Sequence, residues 1–235
     1  MLIKRKKKVL QKAARTLIAH NDPRSVNSEQ FRTIRTGIDF SMPDKELETL
    51  LITSAAPSEG KSTVAANIAV VYAQNGKKVL LVDADLRKPT VHYTFSLVNN
   101  VGLTNLLAKN TTLQVAVKKS EVEGLDILTC GSIPPNPAEL LGSKSMDNVI
   151  EMLKEHYDLV IFDAPPLLSV TDGQILGQKC DGIILVVSAG STEKENIVKA
   201  KEALALTKTT ILGVVLNNFT LTKDHYYYNY YGAEE

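Results

Sequence analysis

Six short apolar runs, rich in β-branched residues, recur along this chain at Leu50–Thr53, Val79–Val82, Leu125–Leu128, Leu159–Phe162, Ile183–Val187 and Ile211–Leu216. Helix-like stretches, Thr63–Gln74, Ser145–His156 and Glu193–Thr207, lie between most of them. Strand, helix, strand at this spacing argues for parallel strands, because parallel neighbours need a long crossover rather than a hairpin. The runs are continuously apolar rather than alternating, as strands covered on both faces should be. The expected fold is therefore α/β, a mostly parallel sheet with helices on both faces.

At 235 residues the chain suits one large domain with short arms. With 44% hydrophobic and 23% charged residues it can bury a core and stay soluble. No apolar run approaches the roughly 20 residues that cross a bilayer. The N-terminus, Met1-Leu2-Ile3-Lys4-Arg5-Lys6-Lys7-Lys8, has no apolar segment after its charges, so the expected location is the cytoplasm. Cys130 and Cys180 have no metal-type spacing and are expected as free thiols. Residues 1–24 hold eight of the 27 basic residues and one of the 26 acidic ones, a charge of +7. Residues 25–235 keep 19 basic against 25 acidic residues, a charge of −6. Such an arm is either solvated or a contact for an acidic partner, nucleic acid or anionic lipid.

Asn27-Ser28-Glu29-Gln30 reads as a helix start, with Asn27 as cap and Gln30 three residues on; the helix should stop near Phe40, before Met42-Pro43. Ser132-Ile133-Pro134-Pro135-Asn136-Pro137 reads as a rigid loop. The last strand ends at Asn217-Asn218, and a polar, tyrosine-rich tail follows. The division is thus a basic arm at 1–24, a domain at 25–218 and a tail at 219–235.

The first run leads into Ser54-Ala55-Ala56-Pro57-Ser58-Glu59-Gly60-Lys61-Ser62-Thr63 and then into a helix. Strand, loop and helix with Gly-Lys-Ser at the helix start aim backbone N–H groups and the positive helix end at phosphate. Pro57, Ser58, Glu59, Gly60, Lys61, Ser62 and Thr63 are the expected nucleotide contacts. Lys61 would reach the β- and γ-phosphates, and the Ser62 hydroxyl would ligate Mg²⁺. In the empty site Lys61 is expected to be solvated. The usual first glycine is replaced by Ala55. Two further strands end in acid, Val79–Val82 at Asp83-Ala84-Asp85-Leu86-Arg87 and Leu159–Phe162 at Asp163-Ala164-Pro165. In an open parallel sheet these ends face the ligand, where carboxylates can hold Mg²⁺ beside the phosphates.

Together, Ser54–Thr63, Val79–Arg87 and Leu159–Pro165 resemble the Walker A, Walker A′ and Walker B motifs of the bacterial tyrosine kinases of capsule and exopolysaccharide systems. Glu29, Arg32 and Arg35 match that family's Glu-x-x-Arg-x-x-Arg self-association motif. Tyr226, Tyr227, Tyr228, Tyr230 and Tyr231 resemble its C-terminal tyrosine cluster. The resemblance implies a P-loop NTPase fold and an ATP- and Mg²⁺-dependent protein-tyrosine kinase, unrelated to the eukaryotic kinase fold. It implies a homo-oligomer made through an isologous or ring-forming contact of the helix that carries Glu29, Arg32 and Arg35, a ring being expected, and a cluster that is autophosphorylated; transfer between subunits is expected from the reach of the tail. It also implies activation by the cytoplasmic tail of a separate membrane protein, a cognate tyrosine phosphatase, protein substrates, and a place at the inner face of the membrane through that partner.

Within this reading Asp83 is the base for the tyrosine hydroxyl, whose pKa near 10 makes it a poor nucleophile unaided. Asp85 supports the base or the metal shell, and Asp83, Asp163 and Ser62 are the metal residues. Arg87 either stabilises phosphate or pairs with an aspartate, and Asn217 is a candidate for holding the adenine. The extended tail from Phe219 to Tyr230 spans at most about 40 Å, enough to reach a neighbour, whereas its own site requires doubling over the domain. The rival is a septum-placing or partitioning ATPase, a positioning switch rather than a kinase. Its loop carries an extra lysine where this chain has Ala56. No nucleic-acid partner is expected, because the tyrosine cluster lacks interleaved Lys and Arg.

Overall fold

The computed structural model describes residues 16–43 and 45–220. The tyrosine cluster and residues 1–15 lie outside the described residues.

Seven strands form one sheet among the described residues: β1 (Thr49–Ser54), β2 (Val79–Asp83), β3 (Val117–Lys119), β4 (Leu125–Leu128), β5 (Leu159–Asp163), β6 (Gly182–Ser188) and β7 (Thr210–Asn217). Their order is β3-β4-β2-β5-β1-β6-β7. Every pairing is parallel except that of β3 with β4. The helices are α1 (Ile18–Asn21), α2 (Val26–Phe40), α3 (Lys61–Gln74), α4 (Val91–Thr94), α5 (Leu103–Leu107), α6 (Leu113–Ala116), α7 (Pro137–Gly142), α8 (Lys144–Lys154), α9 (Asp172–Gly177) and α10 (Lys194–Ala205).

Alternate side chains of each central strand enter opposite layers, as the strand period of two requires. Leu50 and Ile52 of β1 and Leu81 of β2 join α3 and Ile38 of α2 on one face. Leu51, Leu80, Val82 and Phe162 meet Met146, Ile150 and Leu153 of α8 and Leu204 of α10 on the other. Full burial of each such side chain contributes about 1.5–3 kcal/mol. Helix α3 is buried almost all round, lying between the sheet, α2 and the segment around Leu17 and Ala19. That segment, counted by charge with the basic arm, is packed on the domain. The Asn67 amide of α3 accepts from Ala19 N at 3.0 Å and donates to Thr16 O at 3.0 Å. Both cysteines are free and buried.

Four details differ from the sequence reading. The cap of α2 is Ser25, not Asn27: its hydroxyl accepts from Ser28 N at 3.2 Å. β3 carries no apolar run, and the short Val117-Lys118-Lys119 strand forms by antiparallel pairing to β4. Pro137 does not belong to a loop but opens α7, where a missing N–H costs nothing. β7 is an edge strand, not one covered on both faces; its Val214 and Leu216 are 58% and 53% exposed.

Candidate nucleotide and phosphoryl-transfer site

The parallel order brings the C-terminal ends of β1, β2 and β5 together. β1 continues into the loop that opens α3. In this loop Ser58 and Gly60 have positive φ, 67° and 90°. Gly60 has a second reason to lack a side chain: a Cβ there would stand 2.0 Å from Nδ2 of Asn217. No side chain caps the N-terminus of α3, so its first-turn N–H groups are left for an anion.

Asp83 of β2 and Asp163 of β5 are neighbours in register, and both are wholly buried. One Asp83 oxygen, Oδ2, accepts from Thr90 N and Val91 N, each at 2.9 Å, and so holds the start of α4. Its Oδ1, and Oδ2 of Asp163, are buried without a partner among the described residues. Asp85 accepts from Lys88 N at 3.0 Å through Oδ1. Lys61 lies over this group, its Nζ 3.1 Å from Asp85 Oδ2, 3.1 Å from Asp163 Oδ1 and 3.3 Å from Ser62 Oγ. The lysine is therefore not solvated as expected; its side chain is 12% exposed, drawn down by buried carboxylates that pair with no other cation among the described residues.

Burial pushes the Asp83 carboxyl up to about 7, with the negative charge of Asp163 adding to the effect and the Val91 N–H and Lys61 opposing it. Burial by itself would lower the Lys61 ammonium, but Asp163 and Asp85 hold its pKa above the ordinary lysine value. Burial, with Asp83 and Asp85 nearby, pushes the Cys130 thiol up to about 12, leaving it inert as a nucleophile.

A cavity of about 390 Å³ opens above Lys61. Its wall includes Pro57, Ser58, Gly60, Lys61 and Ser62 from the loop, and Asp85, Arg87, Lys88 and Thr90 after β2. Pro165, Pro166, Ser169 and Val170, after β5, close the other side. Arg87 takes the blander of its two expected roles, with Nε and Nη2 at 2.8 and 2.9 Å from the buried Asp172. That hydrogen-bonded pairing, more than offsetting burial, raises the arginine's pKa. Sequence reasoning missed Asp172, which looks like an ordinary acid in the first turn of α9, and the wall 166–170, which carries no motif.

Three expected contacts do not line the cavity. Thr63 lies outside the cavity wall. The Glu59 side chain turns under the loop, bonding Ala56 N and the Thr192 hydroxyl. The Asn217 amide donates to Glu59 O at 2.9 Å. Because Asn217 ends β7, the last described strand ends beside the chain's own phosphate loop; the path of the tail beyond residue 220 lies outside the described residues.

The group fits a Mg²⁺ ion. Two buried carboxylate oxygens without partners and one hydroxyl are the hard oxygen donors such an ion takes, its other positions going to water and phosphate. Among the described residues no cluster of three or more His, Cys, Asp or Glu forms a metal cage of its own.

A parallel sheet that delivers a Gly-Lys-Ser loop and two aspartate-ended strands to one cavity defines a P-loop nucleotide-binding protein. Residues 58–210 match the family model described as an AAA domain. The chain is 56% identical over 221 residues to the tyrosine-protein kinase YwqD of Bacillus subtilis (strain 168), a match covering 94% of this chain and 93% of that protein. The crystal structure of the chimerical protein CapA2B2 superposes with a TM-score of 0.85 at 44% identity, covering 88% of this chain and 93% of that one. The septum site-determining protein MinD of Pyrococcus horikoshii, complexed with Mg-ADP, superposes less closely, with a TM-score of 0.64 at 26% identity over 75% of this chain and 72% of that one. The chain belongs to the bacterial tyrosine-protein kinases, enzymes built on the P-loop fold.

Proposed function

We propose that this chain transfers the γ-phosphoryl group of ATP to protein tyrosines, first to its own C-terminal cluster on a neighbouring subunit, and so regulates capsule or exopolysaccharide synthesis. The observation that carries the reading is Lys61, seated between Asp85 and Asp163 beside Ser62 and next to two unpartnered carboxylate oxygens. The N–H groups at the start of α3 and the Lys61 ammonium hold the phosphates. In moving to them Lys61 would leave Asp85 and Asp163, freeing the Asp163 carboxylate. Ser62, Asp83 and Asp163 are the residues that would hold Mg²⁺, which would supply neutralisation of charge on the phosphates. Asp83 takes the tyrosine proton. Asp85, already tied to Lys88 N, steers Lys61.

The family resemblance supports further parts of this reading. A separate membrane protein's cytoplasmic tail activates the kinase and keeps it at the inner face of the membrane, and a tyrosine phosphatase reverses the modification. Incubation with labelled ATP and Mg²⁺, followed by an anti-phosphotyrosine blot, tests the core of it. Phosphotyrosine on the chain is expected. ATP hydrolysis with no phosphotyrosine would instead identify a positioning ATPase.

A further inference from the structure

An acid in a phosphate-binding loop needs an explanation, since its charge repels the ligand. Glu59 has one in the geometry. Its side chain is buried and points away from the cavity. Oε2 accepts the Ala56 N–H at 2.9 Å, which closes the turn containing the strained Ser58. Oε1 accepts the hydroxyl of Thr192, in the loop after β6. Thr192 Oγ1 in turn accepts Ser188 N–H at 3.0 Å, so its own proton goes to Glu59. Both Glu59 oxygens thus face donors, and among the described residues no lysine or arginine pairs with it.

A second link reaches the same residue. The Asn217 amide donates to the Glu59 carbonyl, while Asn217 O accepts from Ala189 N at 2.8 Å. Asn218 Nδ2 donates to Ser188 Oγ at 2.9 Å. The ends of β6 and β7 therefore grip the phosphate loop at residue 59 through both its side chain and its backbone. Left-handed backbone at Ser58 costs about 1–3 kcal/mol unless its surroundings impose it. An unsupported loop would pay to reach this shape each time phosphate binds.

We propose that Glu59 and Thr192 are positioning residues: their hydrogen bond ties the phosphate loop to the end of β6 and holds it in the shape that accepts the nucleotide's phosphates. The proposal rests on the nucleotide reading above. The test uses the full chain and four variants, Thr192→Val, Thr192→Ser, Glu59→Gln and the double Glu59→Gln/Thr192→Val. Calorimetry measures Mg·ADP affinity, and kinetics separate KM for ATP from kcat. Thr192→Val, isosteric but without the hydroxyl, should raise Kd and KM about tenfold, as loss of a hydrogen bond to a charged group does. The kcat at saturating ATP should stay within about twofold, because the cost falls on binding. Thr192→Ser should restore wild-type affinity, and the double variant should be no worse than the poorer single one. Unchanged KM in Thr192→Val, failure of serine to rescue, or losses that multiply in the double variant would overturn the brace. A wild-type chain that binds no Mg·ADP would overturn the nucleotide reading and the brace together, whereas normal wild-type binding with indifferent variants removes the brace alone.

Discussion

Lys61 pairs with buried carboxylates and is proposed to hold the nucleotide's phosphates, and each role predicts a different loss. Lys61→Ala should lower phosphotransfer by about 10²–10³-fold, the scale of removing one charge-stabilising group. It should also destabilise the nucleotide-free chain by about 3–5 kcal/mol near pH 8, because buried carboxylates lose their cation. At pH 5 the stability loss should be smaller, since Asp83 can then hold a proton in place of its charge. Chemical denaturation at both pH values checks this, and equal losses would separate Lys61 from the carboxylates. The wild type carries its own pH signature. Asp83 titrates near 7 in the fold, against about 3.9 unfolded. Between those values the folded chain binds the extra proton, so stability should fall as pH rises from about 4 to 7. Melting temperature should therefore drop between pH 5 and pH 8 without nucleotide. Saturating Mg·ADP should flatten the profile, and Asp83→Asn should remove this part of the slope.

At the scale of elements, helix α2 shows what a pattern can and cannot reveal. Its end at Phe40 follows from its sequence, but the pattern put the cap at Asn27 and the structure puts it at Ser25. The choice went to Ser25 because its hydroxyl also donates to Asp22 O at 2.9 Å and meets Ser28 Oγ, contacts that depend on the fold of residues 16–25. Ser25→Ala should cost about 1 kcal/mol and Asn27→Ala only a few tenths, read from thermal or urea midpoints. The central strands were legible since burial on both faces leaves an unbroken apolar run. β7 shows the same run at an edge, where one face of the run is partly open, so the pattern alone misplaced it. β3 owes its pairing to β4 and left no run to find. The loop, the aspartates and Lys61 were legible because phosphate chemistry restricts residue types at fixed spacing. The Arg87–Asp172 pair and the Glu59–Thr192 bond join residues 85 and 133 positions apart, and no local pattern encodes such partners.

Whole-molecule behaviour turns on how the tail of one chain meets an active site. Since Asn217 touches the phosphate loop, the tail begins beside its own site and chain length permits either a cis or a trans reaction. The proposed trans reaction requires neighbours, and the candidate contact is the outer face of α2. Within one chain Glu29, 69% exposed, pairs with Arg32 at 2.6 Å, a surface pair that exchanges partners at little cost. Both arginines also support the fold: Arg32 Nη2 donates to Pro23 O at 2.7 Å, and Arg35 Nη1 to Val71 O of α3 at 3.1 Å. Changing either arginine mixes the two effects, and Glu29→Gln is the cleaner probe of assembly. Addition of the activator's cytoplasmic tail should raise the rate of the isolated chain, and an unchanged rate would remove the need for that partner. The decisive experiment mixes a Lys61→Ala chain carrying its tyrosines with an active chain whose Tyr226, Tyr227, Tyr228, Tyr230 and Tyr231 are phenylalanine. Phosphate should appear on the inactive chain at a rate that rises with concentration. Glu29→Gln in both chains should slow it while leaving the melting temperature within a degree or two. Each phosphate adds about −1.5 to −2 charges to a body that is already acidic, so extensive modification should disperse the assembly, seen as a fall in mass by light scattering after ATP. If label stays on chains that are themselves active, at a rate independent of concentration, the reaction is cis, and the short path from Asn217 to the phosphate loop is then its physical route.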